Sequence, residues 1–325
     1  MLAGLMLLIL FSLCVGRYTL PVGEVLQVLL SRLLPISHSF SSRTESIVLT
    51  LRLPRIIAAV LVGGALSLSG AAYQGVFQNP LVAPDLLGVS SGACIGASLA
   101  ILAGAGAFGI QLSAFITGIV AVMLTTAIPR LVRNRSNMML VLAGIIVTGL
   151  TNAIMGLIKY IADPETQLAD ITYWQMGSIA KVQTSTLAMV APAIIISTII
   201  LMMIRWRVNV LSMGEHEAQS LGISTRGTRF LVIGCATLLT ASAVCISGTI
   251  GWVGLVVPHL GRLIVGPDNS RLLPVSFVTG SIFMVLVDTL ARTMTSAELP
   301  LSILTGLIGA PFYFYLLKRQ RMNLS

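Results

Sequence analysis

Long apolar runs without charge are the feature of this sequence that most restricts its fold. The run Leu86–Pro129 contains no Asp, Glu, Lys or Arg, and neither do the runs Val182–Ile204 and Phe230–Gly261. A helix needs about 20 apolar residues to cross the hydrocarbon core of a bilayer. Each run can therefore form one span, and the first run can form two. A membrane β-barrel would show short segments of alternating hydrophobicity instead.

The composition and the charge agree with a helical membrane protein. Of the 325 residues, 56% are hydrophobic and only 10% are charged, whereas about 25% is usual for a soluble domain. The net charge is +9, and most of the 20 Lys and Arg residues fall in segments predicted to be cytoplasmic. Basic residues do not alternate with aromatic ones, as they do where bases stack. The positive charge therefore reflects how the protein is oriented in membrane lipid, with its basic segments on the cytoplasmic side, and it does not indicate nucleic-acid binding.

The sequence predicts an all-α fold of about ten membrane spans that form one domain over residues 1–325, with both ends in the cytoplasm. The first stretch has no basic region and no A-x-A site, so it is predicted to be a retained helix and not a cleaved signal. An amphipathic helix is possible at Val22–Leu34. The spans are predicted at Leu2–Val15, at Pro54–Phe77, at two segments of Leu86–Pro129 separated by Ala103–Gly109, and at Met138–Ile161, Thr186–Ile204, Phe230–Ser247, Val253–Val265, Leu272–Arg292 and Leu301–Leu317.

One polar segment, Arg205–Arg229, interrupts these spans on the predicted cytoplasmic side. Its side chains repeat at helical spacing after Gly214, and Gly222 is a typical helix stop. The spacing predicts two short helices that meet at Gly214 and lie on the membrane surface. Such a hairpin fits a docking element for a soluble partner, and it fits equally an amphipathic helix lying in the headgroups.

A few charges lie within or beside the predicted spans. Asp288 and Arg292 are four residues apart, a spacing that allows an ion pair on one helix face. The pair fits a structural role better than the coupling site of a secondary carrier, because one acid with a built-in partner is a poor proton relay. Arg52, Arg55 and Arg292 are predicted near the outer face. There they could extend their side chains to the interface or bind an acidic protein.

No catalytic constellation is present, and no motif predicts a cofactor or a metal site. Sequences of the HExxH, GxSxG and GxxxxGK[ST] types are missing, so this chain cannot hydrolyse ATP itself. The three histidines lie far apart in the sequence, at His38, His216 and His259. The four cysteines lie in apolar runs without a CxxC pair, which predicts small buried side chains.

Several motifs resemble the permease subunits of type II ATP-binding-cassette importers, the FecCD-like family for ferric siderophores, haem and cobalamin. The matching stretches occur in the family's order along nearly the whole chain. They are LRLPRIIAAVLVGGALSLSGAAYQ (Leu51–Gln74), NPLVAPDLLGVSSGA (Asn79–Ala93), LSMGEHEAQSLGI (Leu211–Ile223), SGTIGWVGLVVPHLGR (Ser247–Arg262), LLPVSFVTG (Leu272–Gly280) and ELPLSILTGLIGAPFY (Glu298–Tyr313).

The resemblance implies the cobalamin-permease type of fold, a dimer with a second permease subunit, and a location in the cell inner membrane. It implies that the segment 205–229 docks on a separate ATPase subunit. The docking residues that it implies are Gly214, Glu215, Ala218, Leu221 and Gly222. It also implies that Arg52, Arg55 and Arg292 meet acidic residues of a substrate-binding protein. Ferric siderophore is the expected cargo, with cobalamin and haem as alternatives and an Asp288-coupled carrier as a less favoured one.

Overall fold

The computed structural model of the protein describes residues 1–32, 40–134, 136–295 and 298–322. Over these residues the chain forms 13 helices and no strand. The helices are α1 (Leu2–Cys14), α2 (Val22–Ser31), α3 (Ser42–Phe77), α4 (Val89–Leu102), α5 (Ala107–Leu131), α6 (Asn137–Ile161), α7 (Gln167–Gln175), α8 (Thr184–Met213), α9 (Glu215–Ser220), α10 (Thr225–Ser247), α11 (Val253–Val265), α12 (Asn269–Met294) and α13 (Leu301–Met322).

The ten predicted spans all correspond to helices, which confirms an all-α membrane protein. Six helices, α3, α5, α6, α8, α10 and α12, are long and apolar enough to cross a membrane alone. The other four predicted spans, α1, α4, α11 and the apolar part of α13, are shorter. The predicted helix Val22–Leu34 ends at Ser31 in α2, and its last two residues lie outside the described part of the chain.

The helices differ sharply in how far the protein covers them. In α3, 83% of the most apolar stretch is buried inside the protein, whereas in α5 the fraction is 22%. Helix α3 is therefore the central helix, and α5 has a large surface available to lipid. The long apolar sequences of the two helices look alike, because lipid and protein interior demand the same apolar residues.

Helices α3 and α12 run antiparallel and approach closely through glycine. A Cβ atom at Gly63 would lie 2.2 Å from the carbonyl oxygen of Gly280, and one at Gly280 would lie 2.3 Å from that of Gly63. Beside this crossing, the Ser281 hydroxyl donates to the Val60 carbonyl at 2.9 Å. Helices pack this tightly in lipid when small residues let their backbones meet.

Candidate coupling and docking sites

The polar segment begins as an extension of α8 and not as a separate short helix. Helix α8 continues without a break from Thr184 to Met213, so the predicted first helix of the hairpin, lying on the membrane surface, is wrong. No glycine or proline stands between Ile204 and Gly214, and nothing in this stretch therefore ends the helix. A helix of 30 residues is about 45 Å long, so its end extends beyond a hydrocarbon core of about 30 Å.

Two glycines shape the rest of this coupling segment, which we define as Asn209–Gly222. Gly214 has φ 147° and ψ 156° and separates α8 from α9, a conformation that is essentially restricted to glycine. Gly222 has φ 74° and ends α9, as the sequence predicts. The N–H of Ile223 donates to the Ala218 carbonyl at 2.9 Å, which closes the last turn.

The residues predicted to dock on an ATPase do not all face outward. Ala218 is fully buried, and it packs α9 onto the body of the protein. Leu221 is exposed, as is Met213 on the other side of the Gly214 turn. Glu215 is half exposed and accepts a hydrogen bond from Arg229. The surface offered to a partner therefore combines exposed apolar side chains with two acidic groups, Glu215 and the exposed Glu217.

Hydrogen bonds hold the coupling segment to the inner ends of α3 and α12. Gln78, which follows α3, donates through Nε2 to the Leu211 carbonyl at 2.9 Å. Asn269, the first residue of α12, donates its backbone N–H to Asn209 Oδ1 at 2.8 Å and its Nδ2 to Ser212 Oγ at 3.0 Å. The segment is thus fixed to the two most closely packed helices.

A second site lies at the opposite ends of these helices and contains the three predicted arginines. Arg52 occupies the end of a π-helical stretch of α3, Ile47–Arg52. It donates to the carbonyl of Leu13, to that of Cys14 at 3.1 Å and to that of Tyr18. Arg52 thus caps the C-terminal end of α1, where cations are favoured by the unpaired carbonyls.

Arg292 of α12 holds the same end of α1. Its Nη2 donates to the Ser12 carbonyl and, at 2.6 Å, to the Ser12 hydroxyl. A Cβ atom at Gly16 would lie 2.7 Å from Arg52 Nη2 and 3.5 Å from Arg292 Nη1. Gly16 therefore leaves the space in which the two guanidinium groups come together.

Arg55 is the main partner of Asp288, and Arg292, the partner expected from spacing, is a second and more distant one. Arg55 Nε donates to Asp288 Oδ1 at 2.8 Å, whereas Arg292 Nε lies 3.9 Å from Asp288 Oδ2. Arg55 Nη1 also donates to both carboxylate oxygens of Glu298 at 2.9 Å. We call Arg52, Arg55, Asp288, Arg292 and Glu298 the outer charge cluster.

The structure brings the three arginines together but buries them. Arg52 and Arg292 are each 7% exposed, and the side chain of Arg55 is 11% exposed. Most of their donors are used on acceptors of this chain, and Arg292 Nε, which has no hydrogen-bond partner among the described residues, is buried. The three arginines therefore do not form the open positive rim expected from the sequence. Glu298 is 28% exposed and is the most accessible member of the cluster. Sequence reasoning missed its role, although Glu298 is an isolated acid just before α13.

The remaining polar candidates do not form a site. Over the described residues, no group of three or more His, Cys, Asp and Glu side chains could hold a metal ion. His38 lies outside the described residues. All four cysteines are free and buried, as predicted.

Comparison with known proteins shows the same architecture in transport subunits. The FecCD transport family model matches residues 4–319. The molybdate import system permease protein of Haemophilus influenzae is 40% identical over 315 residues, which is 96% of this chain and 93% of that protein. A probable iron chelatin transport permease of Helicobacter pylori is 39% identical, over 86% of this chain and 85% of that protein. Other relatives are named as hemin and cobalamin permeases.

A solved structure supports the match over nearly the full length. A metal-chelate type ABC transporter in an inward-facing conformation superposes with a TM-score of 0.87 at 38% identity. The match covers 98% of this chain and 98% of that one. Molybdate was not among the cargoes considered from the sequence.

We predict that Asp288→Asn destabilises the protein by about 3 kcal/mol, because it leaves the buried Arg55 and Arg292 with less counter-charge. Asp288 is 1% exposed, so water cannot reach this position to solvate the arginines that lose their counter-charge. Chemical unfolding of the purified subunit in detergent measures the effect. Asp170→Asn, at an exposed position, is the control and should stay within about 0.5 kcal/mol of wild type. Equal stability of the two variants would show that the carboxylate of Asp288 is not a structural ion-pair partner.

Proposed function

The chain belongs to the FecCD transport family, and from this premise we propose how its two sites serve import. It is a permease subunit of an ATP-binding-cassette importer in the inner (cytoplasmic) membrane. Such a subunit transports its cargo without chemical change and is not an enzyme. Its partners are separate ATPase subunits, a substrate-binding protein and a second permease subunit.

The coupling segment is our proposed docking site for the ATPase. The observation that carries this assignment is its position, because α8 extends about 45 Å and ends in the exposed turn at Gly214. Leu221 and Glu215 give this end an apolar contact beside an acidic one. The conformation of Gly214 and Gly222 shapes the segment, and the buried Ala218 fastens it. The five residues implied by the resemblance therefore divide into two that contact the ATPase and three that shape the contact.

The outer charge cluster is our proposed docking site for the substrate-binding protein. It contains three arginines and two acids, a formal excess of one positive charge. An acidic residue of the binding protein can form an ion pair with Arg55 by taking the place of Glu298. Arg52 and Arg292 add positive potential from inside the protein while they hold α1. Long-range attraction of this kind raises association rates, and salt weakens it.

We propose a ferric chelate as the cargo, since relatives named for iron chelates and hemin match most of the chain. Molybdate is the second candidate, because the molybdate permease matches 96% of the chain at 40% identity. Cobalamin is a further alternative. An Asp288-coupled carrier is disfavoured, because Arg55 holds the Asp288 carboxylate at 2.8 Å and competes with any proton or cation.

We predict that Leu221→Arg reduces retention of the ATPase at least tenfold when the permease is purified in mild detergent. The added charge would enter an apolar contact, a change that costs about 1.4 kcal/mol or more at a well-packed interface. Leu131→Arg is a matched control, because Leu131 is also an exposed leucine at the predicted cytoplasmic end of a helix. Retention equal to wild type in both variants would contradict docking at the coupling segment.

We predict opposite effects at the two ends of the Arg55–Glu298 pair. Arg55→Gln should weaken association with the substrate-binding protein, and Glu298→Gln should strengthen it about threefold or more by removing a competing carboxylate. Surface-immobilised permease in nanodiscs and soluble binding protein give both affinities. Glu45→Gln is the control, because Glu45 pairs with the exposed Arg32 instead. An unchanged affinity in Arg55→Gln would contradict docking at the cluster.

We predict that cells lacking this chain lose uptake of an iron-55-labelled ferric siderophore, while uptake of labelled molybdate and cobalamin continues. Loss of molybdate uptake alone would assign the second candidate, and loss of cobalamin uptake alone the third. The Leu221→Arg variant, returned to these cells, should fail to restore uptake. If that variant restores uptake fully although it retains no ATPase, transport does not require ATPase docking, and the carrier alternative gains support.

A further inference from the structure

Helices α3 and α12 touch at regular steps along the whole thickness of a membrane. Passing inward from the Arg55–Asp288 ion pair, the contacts are the Ser281–Val60 hydrogen bond, the Gly63–Gly280 crossing and the packing of Phe277 on Gly64. At the inner end, a Cβ atom at Gly75 would lie 3.3 Å from Asn269 Oδ1. The α3 residues 55–75 span about 30 Å, which equals the hydrocarbon thickness.

The two ends of this helix pair carry the two proposed docking sites. The outer end holds the charge cluster, since Arg52 and Arg55 belong to α3 and Asp288 and Arg292 belong to α12. The inner end holds the coupling segment through the bonds from Gln78 and Asn269.

Asn269 is the residue through which α12 is joined to the coupling segment. Asp268 already caps α12, because its carboxylate accepts the Ser270 N–H at 2.8 Å. The Asn269 carboxamide is therefore not needed for capping and reaches Ser212 Oγ instead. Asn269 is only 4% exposed and contacts α8 through both its backbone and its side chain. Any movement of the coupling segment is thus passed directly to the start of α12.

We propose that α3 and α12 act as one rigid strut that links ATPase docking to the outer charge cluster, with Asn269 as the positioning residue. The proposal rests on the proposed function, because it takes the coupling segment to be the ATPase site. A displacement of the segment moves the inner end of the strut, and the glycine-packed interface carries the displacement outward. The outer arginines then move relative to α1, which they cap.

The test places a fluorescent thiol label at the outer end of the strut. Met294 ends α12 and is exposed, whereas all four native cysteines are buried, so Met294→Cys gives one accessible labelling site. The labelled permease is assembled with its ATPase in nanodiscs, and MgATP is the only ligand added. The recorded quantity is the ATP-induced fluorescence change divided by the rate of ATP hydrolysis in the same sample.

We expect Asn269→Ala to reduce this ratio about fivefold. The reason is that an ordinary hydrogen bond, here the one to Ser212, contributes about 1 kcal/mol, and its loss changes an equilibrium constant by about that factor. Asn137→Ala is the matched control, because Asn137 is likewise the first residue of a membrane helix after a capping residue, Ser136. Ser212→Ala removes the same bond from the other side with a smaller change, so a folding defect in Asn269→Ala does not prevent the test.

Each outcome decides between the strut and its alternatives. A ratio that is unchanged in both Asn269→Ala and Ser212→Ala would overturn the strut, as would an equal loss in Asn137→Ala. A permease that carries only Met294→Cys and retains its ATPase, but shows no ATP-induced fluorescence change, would overturn the strut alone. A permease that retains no ATPase would overturn the proposed function, and the strut with it.

Discussion

The close contact between α3 and α12 is the interaction on which the other features depend. At the Gly63–Gly280 crossing each backbone carbonyl occupies the space that a side chain would need on the other helix. Lipid supplies no hydrophobic force between helices, so their association relies on such close packing and on hydrogen bonds. A larger residue at either glycine would separate the helices, and the ion pair and hydrogen bonds at their ends would lose their geometry.

The outer charge cluster shows why this geometry matters. A carboxylate that is 1% exposed is tolerated only when a cation meets it at hydrogen-bond distance. Arg55 of α3 and Asp288 of α12 satisfy this condition because their helices are already held together. The same cluster fastens α1, whose last carbonyls accept from Arg52 and Arg292. A short N-terminal helix is thereby attached by charged caps in addition to the apolar packing of Leu13 and Cys14.

Much of the fold could be predicted from the sequence, because uncharged runs of sufficient length allow little besides membrane helices. The positions of the ten spans, the turn at Gly214 and the helix stop at Gly222 follow from local rules. The partner of Asp288 could not be predicted in this way. Spacing identifies Arg292 as a neighbour on the same helix, but Arg55 is distant in the sequence, and its contact depends on how α3 packs.

The coupling segment shows a second limit of sequence reasoning. The charged residues between Arg205 and Arg229 suggested a break at the membrane surface, yet a helix tolerates charge once it has left the bilayer. The stretch from Arg205 to Met213 contains neither glycine nor proline, the residues that most often break a helix. The burial of Ala218 was also hidden, because alanine suits an exposed helix as well as a packed one. Residues that contact a partner and residues that hold the segment therefore could not be separated by their type.

The two ends of the α3–α12 pair are held by different forces, and this difference favours movement at the inner end. Neutral hydrogen bonds such as those of Asn269 contribute about 1 kcal/mol each, so the inner end can shift together with the coupling segment without uncovering buried charge. Breaking the Arg55–Asp288 pair would leave buried charge uncompensated, which costs about 3 to 5 kcal/mol. At the outer end, the contact that can be exchanged most easily is therefore the one between Arg55 and the half-buried Glu298. A carboxylate of another protein can replace Glu298 there without leaving Arg55 unpaired.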